Sequence, residues 1–188
     1  MKIYQYLLCA LALTFALPAF SQTKLEGVTL EDHLHIQGQH LNLNGAGVRT
    51  KLFFDLYVGS LYLESKETSS SKIAAADAPM LIQLDIVSSM ITSDNMEDAV
   101  VEGFEKATNK NTAPIQKEID LLIATFKDKI NVGDNFQFLY IPGKGTQIIK
   151  NGKTYQTISS LQFKKALYNI WLGTSPADKG LKKDMLGM

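Results

Sequence analysis

One arginine, Arg49, stands among eighteen lysines in a chain of 188 residues. It lies in the stretch LNLNGAGVRTKLFFDLYVGSLYLE, residues 41–64, after a glycine-rich bend and before a long aromatic run. A guanidinium is a rigid planar fork of donors matched to carboxylate or enolate oxygens, whereas a lysine head is a mobile point charge. Beside phenylalanines and tyrosines, such a fork suits the polar end of a ligand whose remainder is apolar. Surface ion pairing is the competing reading.

The other candidate groups are weaker. His33, His35 and His40 cluster near the start, and His33 and His35 share a strand face, but no third ligand follows at a recognisable spacing. Exposed strand or loop positions are the better reading, and no metal or other cofactor is expected. The glycines of GAG (residues 45–47) and PGKGT (residues 142–146) lack a full phosphate-loop pattern, and Gly143 to Gly145 read more simply as a turn between strands. No GxSxG elbow and no HExxH occurs, and composition alone assembles no triad.

The first 21 residues carry Lys2, an apolar run over residues 7–17, and the small residues Ala19 and Ser21 at a signal-peptidase spacing. They read as a signal peptide cleaved after Ser21, with residues 22–188 as one exported domain in the periplasm or outside the cell. The apolar run is short of the roughly 20 residues a membrane span needs, so no stable span is expected after cleavage. Cys9 lies inside this leader, so the remaining chain has no thiol for a disulfide or metal site. Without Lys2, 18 basic residues face 19 acidic ones. With no basic block left, nucleic acid is a poor partner. The sequence leaves the oligomeric state open.

Around these groups the periodicity changes several times. Short strands and turns fill residues 25–43, and residues 48–63 form a strand-like run long enough to require a bend or hairpin. A polar loop, a short helix through Ala76 and a strand over residues 80–87 follow. Thr92 or Ser93 caps a helix with Met96, Val100 and Phe104 spaced by four, and a second helix begins near Pro114 with Ile115, Ile119, Leu122, Ile123, Phe126 and Ile130 inward. Three short strands come next, the last two joined at Asn151 and Gly152. Residues 161–172 return to helix with Phe163, Leu167, Ile170 and Trp171 inward, and a terminal helix starts at or after Pro176. Strands, paired helices, strands and helix in that order point to an α+β fold.

The motifs LNGAGVR, continuing through VGSLYLE, and FKKALYNIWLG with SP after it resemble the chalcone isomerase-like family over about residues 24–186. That family includes fatty-acid-binding members and bacterial exported members. The resemblance implies an open-faced β-sandwich, a large mainly antiparallel sheet packed against a layer of helices, with a ligand cleft between them. It places Arg49 at the arginine that holds a ligand oxygen or carboxylate. In true chalcone isomerases this arginine works with a strand threonine, a tyrosine, an asparagine and a late hydroxyl. These fall at Tyr57 and near Thr92, Ala99 and Lys164, so four of the five positions differ. An arginine with a tyrosine is what the resemblance implies for the fatty-acid-binding branch.

Eight residues of straight strand would separate Arg49 from Tyr57 by roughly 26 Å. Sharing a ligand therefore requires a tight turn within residues 51–55, where Lys-Leu-Phe-Phe-Asp is a poor turn sequence. The favoured expectation is an exported protein binding a fatty acid or similar apolar carboxylate in a cleft lined by Phe53 or Phe54, Leu63, Ile86, Phe104, Ile123 and Phe138. Arg49 and Tyr57 would form its polar end. Two alternatives remain: an intramolecular lyase acting on a small enone or phenolic, with Arg49, Tyr57 and Thr92 as its groups, and an interaction module with no ligand.

Overall fold

The computed structural model describes residues 22–188. The expected leader, residues 1–21, lies outside the described residues. Strands β1 (Gln22–Leu25) and β2 (Val28–Glu31) make a separate ribbon. Strands β3 (His33–Ile36), β4 (Gln39–Lys51), β5 (Phe54–Leu63), β6 (Met80–Ile86), β7 (Asn135–Ile141), β8 (Gly145–Lys150) and β9 (Lys153–Ile158) form one antiparallel sheet in chain order. Short connections between antiparallel neighbours keep most of the pairing local.

Among the described residues, five α-helices complete the expected α+β arrangement: α1 (Ser70–Ala75), α2 (Ser93–Ala107), α3 (Gln116–Ile123), α4 (Leu161–Leu172) and α5 (Lys179–Met185). The hydroxyls of Thr92 and Ser160 and the carboxylate of Asp178 accept from the Asn95, Phe163 and Leu181 amides, capping α2, α4 and α5. On α4, Phe163, Leu167, Tyr168, Ile170 and Trp171 are all buried, so this helix is covered on nearly every side. Gly103 of α2 allows the close crossing, since a Cβ there would lie 2.9 Å from the Ile170 side chain. The helix-facing core joins Ile86, Phe104, Phe138, Phe163 and Trp171, while Leu41, Tyr62, Leu81 and Leu139 pack on the sheet's other face.

Two local features depart from the sequence reading. The glycines before Arg49 form no bend, because Gly45 and Gly47 lie inside β4. A Cβ at Gly45 would run into the Asp184 carbonyl, and one at Gly47 into the Asp184 side chain. Their absent side chains let α5 rest directly on the strand. Beside them the register shifts at Asn44, whose amide donates to the carbonyls of Met185 (2.9 Å) and Glu67 (3.0 Å) and so ties β4 to both neighbouring segments. The second departure is α3, which stops at Ile123 and tightens into a 3₁₀ turn over Ala124–Phe126. The Thr125 hydroxyl donates to the Leu122 carbonyl at 2.7 Å, a local bond that competes with continued helix. Ile119, Leu122 and Phe126 still face inward, and Ile130 reaches the core from the following loop.

Candidate functional site

The turn that a shared site required is present. Leu52 and Phe53 take φ values of 48° and 72°, making a two-residue hairpin in which Lys51 pairs with Phe54 and Thr50 with Asp55. Positive φ at both central positions is the primed turn that suits strand twist, and it is normally built from Asn, Asp or Gly. The register then shifts by one residue at Leu56, so that Arg49 pairs directly with Tyr57. A bulge at this point re-aims the neighbouring side chains. Directly opposed residues share a sheet face, and Tyr57 belongs to the helix-facing core.

Arg49 is half-buried, with its Cζ 5.9 Å from the centroid of the Tyr57 ring. That is a cation–π distance. Among the described residues no carboxylate forms an ion pair with it. The Tyr57 oxygen accepts a 2.9 Å hydrogen bond from Trp171 Nε1 of α4, and the Trp171 ring stacks on Phe138 of β7 with centroids 5.5 Å apart. Burial raises the Tyr57 pKa, against the lowering influence of the Arg49 charge and the Trp171 bond. The phenol is therefore neutral at physiological pH. With its oxygen accepting from Trp171, its proton points the chemistry toward donation. A guanidinium beside a phenol is chemically able to donate at two points to a carboxylate or carbonyl oxygen, and here the phenol is backed by the buried Trp171 and Phe138 rings.

Trp171 was not among the ligand-contacting residues expected from sequence, where it read as inward-facing core. Its signal was its singularity: it is the chain's one tryptophan, with a ring N–H that needs a partner when buried.

Other expected site residues lie elsewhere. Phe53 is 99% exposed and Phe54 55% exposed, both at the hairpin tip, so neither lines an interior cleft. Leu63, Ile86, Phe104 and Phe138, expected to line a cleft, face the helix layer with Ile123 half-buried at its margin and join one packed cluster, in which Phe104 stacks on Phe163. Thr92 is exposed, and its hydroxyl is engaged in capping α2. It lines a separate open cavity of about 480 Å³ together with Lys127 and Lys129.

Lys164 has also taken a different role. Fully buried in the first turn of α4, its Nζ donates to the carbonyls of Ile73, Ala74 and Ala76 at 2.8–3.2 Å, closing the end of α1. It lies over the Tyr140 and Tyr168 rings. Burial, more than the nearby Lys165 charge, pushes its pKa down to about 8. The histidines make local contacts: His35 meets His40 edge-on across β3 and β4, and His33 Nδ1 lies 2.7 Å from Asn42 Oδ1. Among the described residues no helix is long and apolar enough to cross a membrane.

The fold has a counterpart among solved structures. The crystal structure of an Arabidopsis thaliana fatty-acid-binding protein superposes with a TM-score of 0.70 at 17% sequence identity, covering 88% of this chain and 96% of that one. No curated protein matches the chain. The sequence profile described as chalcone isomerase-like matches residues 22–187, spanning both motif regions, β4 with β5 and the whole of α4. The chain belongs to the chalcone isomerase-like family.

Proposed function

We propose that this protein is exported and binds a small apolar carboxylate, of the fatty-acid class, through Arg49 and Tyr57. The observation that carries this reading is the half-buried guanidinium set on the face of Tyr57, with no carboxylate ion-paired to it among the described residues. A cation kept partly out of water without a counter-ion is costly, and a ligand carboxylate would offset that cost. Trp171 holds the phenol in place, and because it stacks on Phe138 inside the packed core, a hydrocarbon tail entering beside Tyr57 would have to displace part of that packing. The fold shared with a plant fatty-acid-binding protein supports the reading by analogy. An intramolecular lyase would need a second proton-handling group, whereas Thr92 caps a helix and Lys164 is bonded to three carbonyls. The packed cluster around Phe104 and Phe138 favours the interaction-module reading as the alternative.

The test is native mass spectrometry of protein recovered from the exported fraction, followed by calorimetric titration of decanoate into wild type, Arg49→Lys and Arg49→Met. The expected mass begins at Gln22, with a lipid-like acid retained. Hydrogen bonds to charged groups contribute about 1.5 to 3 kcal/mol, so Arg49→Met should weaken binding by tenfold or more. Arg49→Lys should fall between, because the charge stays and the fork is lost. Equal affinity in all three proteins makes Arg49 a structural cation, and no binding at all favours the interaction module.

A further inference from the structure

Four connections meet at one end of the seven-stranded sheet: the β4–β5 turn, the loop after β6, the segment before β7 and the β8–β9 turn. Of the eight large apolar residues exposed among those described, five lie there: Leu52, Phe53, Phe54, Met90 and Val132. Their exposures run from 47% for Met90 to 99% for Phe53. Residues 51–54, 87–93, 127–134 and 150–153 contain five lysines and only two aspartates, and one of those aspartates, Asp134, is paired internally with Lys150 at 3.3 Å. Asp55 and Asp94 stand just behind, at the starts of β5 and α2. The outermost charges, Lys51, Lys127, Lys129 and Lys153 against Asp128, are therefore predominantly positive.

We infer that this end of the sheet docks on the surface of a lipid bilayer carrying anionic headgroups. Leu52 and Phe53 enter the headgroup and acyl boundary while the lysines meet the phosphates. The strain at the tip is one argument. Two apolar side chains are held in left-handed backbone where Asn and Gly would sit more easily, and with Leu52 77% and Phe53 99% exposed they contribute little burial to the fold in return. Shape is the second. The apolar groups project from separate loops with lysines between them, a pattern that fits shallow insertion at an anionic interface. A protein partner would instead need a contiguous interface of roughly 1,200–2,000 Å² with an apolar centre. The open cavity of about 480 Å³ beside Val132 has Lys127 and Lys129 on its walls against the single carboxylate of Asp94, leaving it net positive among the same loops. This inference is independent of whether Arg49 holds a ligand.

The test uses the protein purified in the form in which it accumulates in the producing cell. Sedimentation with vesicles of phosphatidylcholine alone and with added phosphatidylglycerol is compared for wild type and the double variant Leu52→Asn/Phe53→Gly. That variant keeps the turn in a favoured sequence, so loss of folding does not confuse the result. Wild type should prefer the anionic vesicles, and the variant should bind them about tenfold or more weakly, from the apolar area removed. In a second measurement, Phe53→Trp fluorescence should be quenched by lipids brominated on the acyl chain, while the native Trp171, buried in the core, should not respond. Equal vesicle binding by wild type and double variant, or no quenching of Phe53→Trp, overturns the inference. A wild type that self-associates without lipid, with a variant that stays monomeric, also overturns it and assigns the tip to a second copy of the chain.

Discussion

The β4–β5 and β8–β9 hairpins reach the same end of the sheet by the same path, built from opposite residues. Each turns through two residues with positive φ, Leu52 and Phe53 in one, Asn151 and Gly152 in the other. Each then shifts register after two pairs, with Leu56 and Tyr155 as the extra residues. The Asn-Gly turn is braced from outside: Asn151 Oδ1 accepts from the Asn135 amide at 2.8 Å, and its Nδ2 donates to Asp134 at 2.9 Å. At the Leu-Phe tip the side-chain hydrogen bond is a cross-strand one, Thr50 to Asp55 at 2.8 Å, exposed to water. Beyond the bulge the two diverge in purpose. Ile148 and Gln156 occupy the positions that Arg49 and Tyr57 hold in the other hairpin. A single backbone solution therefore serves as framework in one place and sets a guanidinium against a phenol in the other.

Exchanging the turns breaks the comparison most severely. Asn151→Leu/Gly152→Phe should destabilise the protein by about 2 to 4 kcal/mol, from left-handed strain and two lost hydrogen bonds. Urea denaturation reads this directly, and a loss below about 1 kcal/mol would show that the brace matters little.

Acid sharpens the difference next. Burial pushes the Asp134 carboxyl up, but hydrogen bonds from Asn151, the Asn131 amide and Lys150 outweigh it and hold the pKa below its ordinary 3.8. A folded pKa below the unfolded value means stability that is present above about pH 4 and lost as pH falls through the folded pKa. Asp134→Asn should cost about 1.5 to 3 kcal/mol at neutral pH, with the gap from wild type closing in acid. Asp55→Asn, at the exposed tip, should stay within about 0.5 kcal/mol. A gap for Asp134→Asn that persists unchanged in acid would locate its cost in packing instead of charge.

One expected change runs the other way. Leu52→Asn/Phe53→Gly should raise stability by about 1 kcal/mol by relieving the strained tip. A lower denaturation midpoint would mean that the apolar tip supports the fold through contacts absent from this structure.

These hairpins also mark how far the sequence could be read. Asn151 and Gly152 carry their turn in their own chemistry, whereas Leu52 and Phe53 look like continuing strand, because tertiary pairing overrides local preference there. The requirement that Arg49 and Tyr57 meet still located the turn within residues 51–55. The packing stripe of α2 was legible because Met96, Val100 and Phe104 repeat at helical spacing. The link from Tyr57 to Trp171 spans 114 residues, and no local pattern encodes it. Lys164 was likewise hidden, since a lysine in a first helical turn ordinarily reads as solvated, and only the end of α1 folded over it supplies its three acceptors.

The bond from Asn44 to the Met185 carbonyl bears on the order of assembly. Its partners stand 141 residues apart, and β4 also receives α5 across Gly45 and Gly47. Closing so long a loop costs more entropy than forming the hairpins, so this contact should be among the last to form. The strand carrying Arg49 would thus wait, paired with β5 but uncovered on its glycine surface, until α5 arrives. For a chain synthesised from its N-terminus, Arg49 is made early while its supporting strand is completed late, which puts the timing of the site under the control of the final helix.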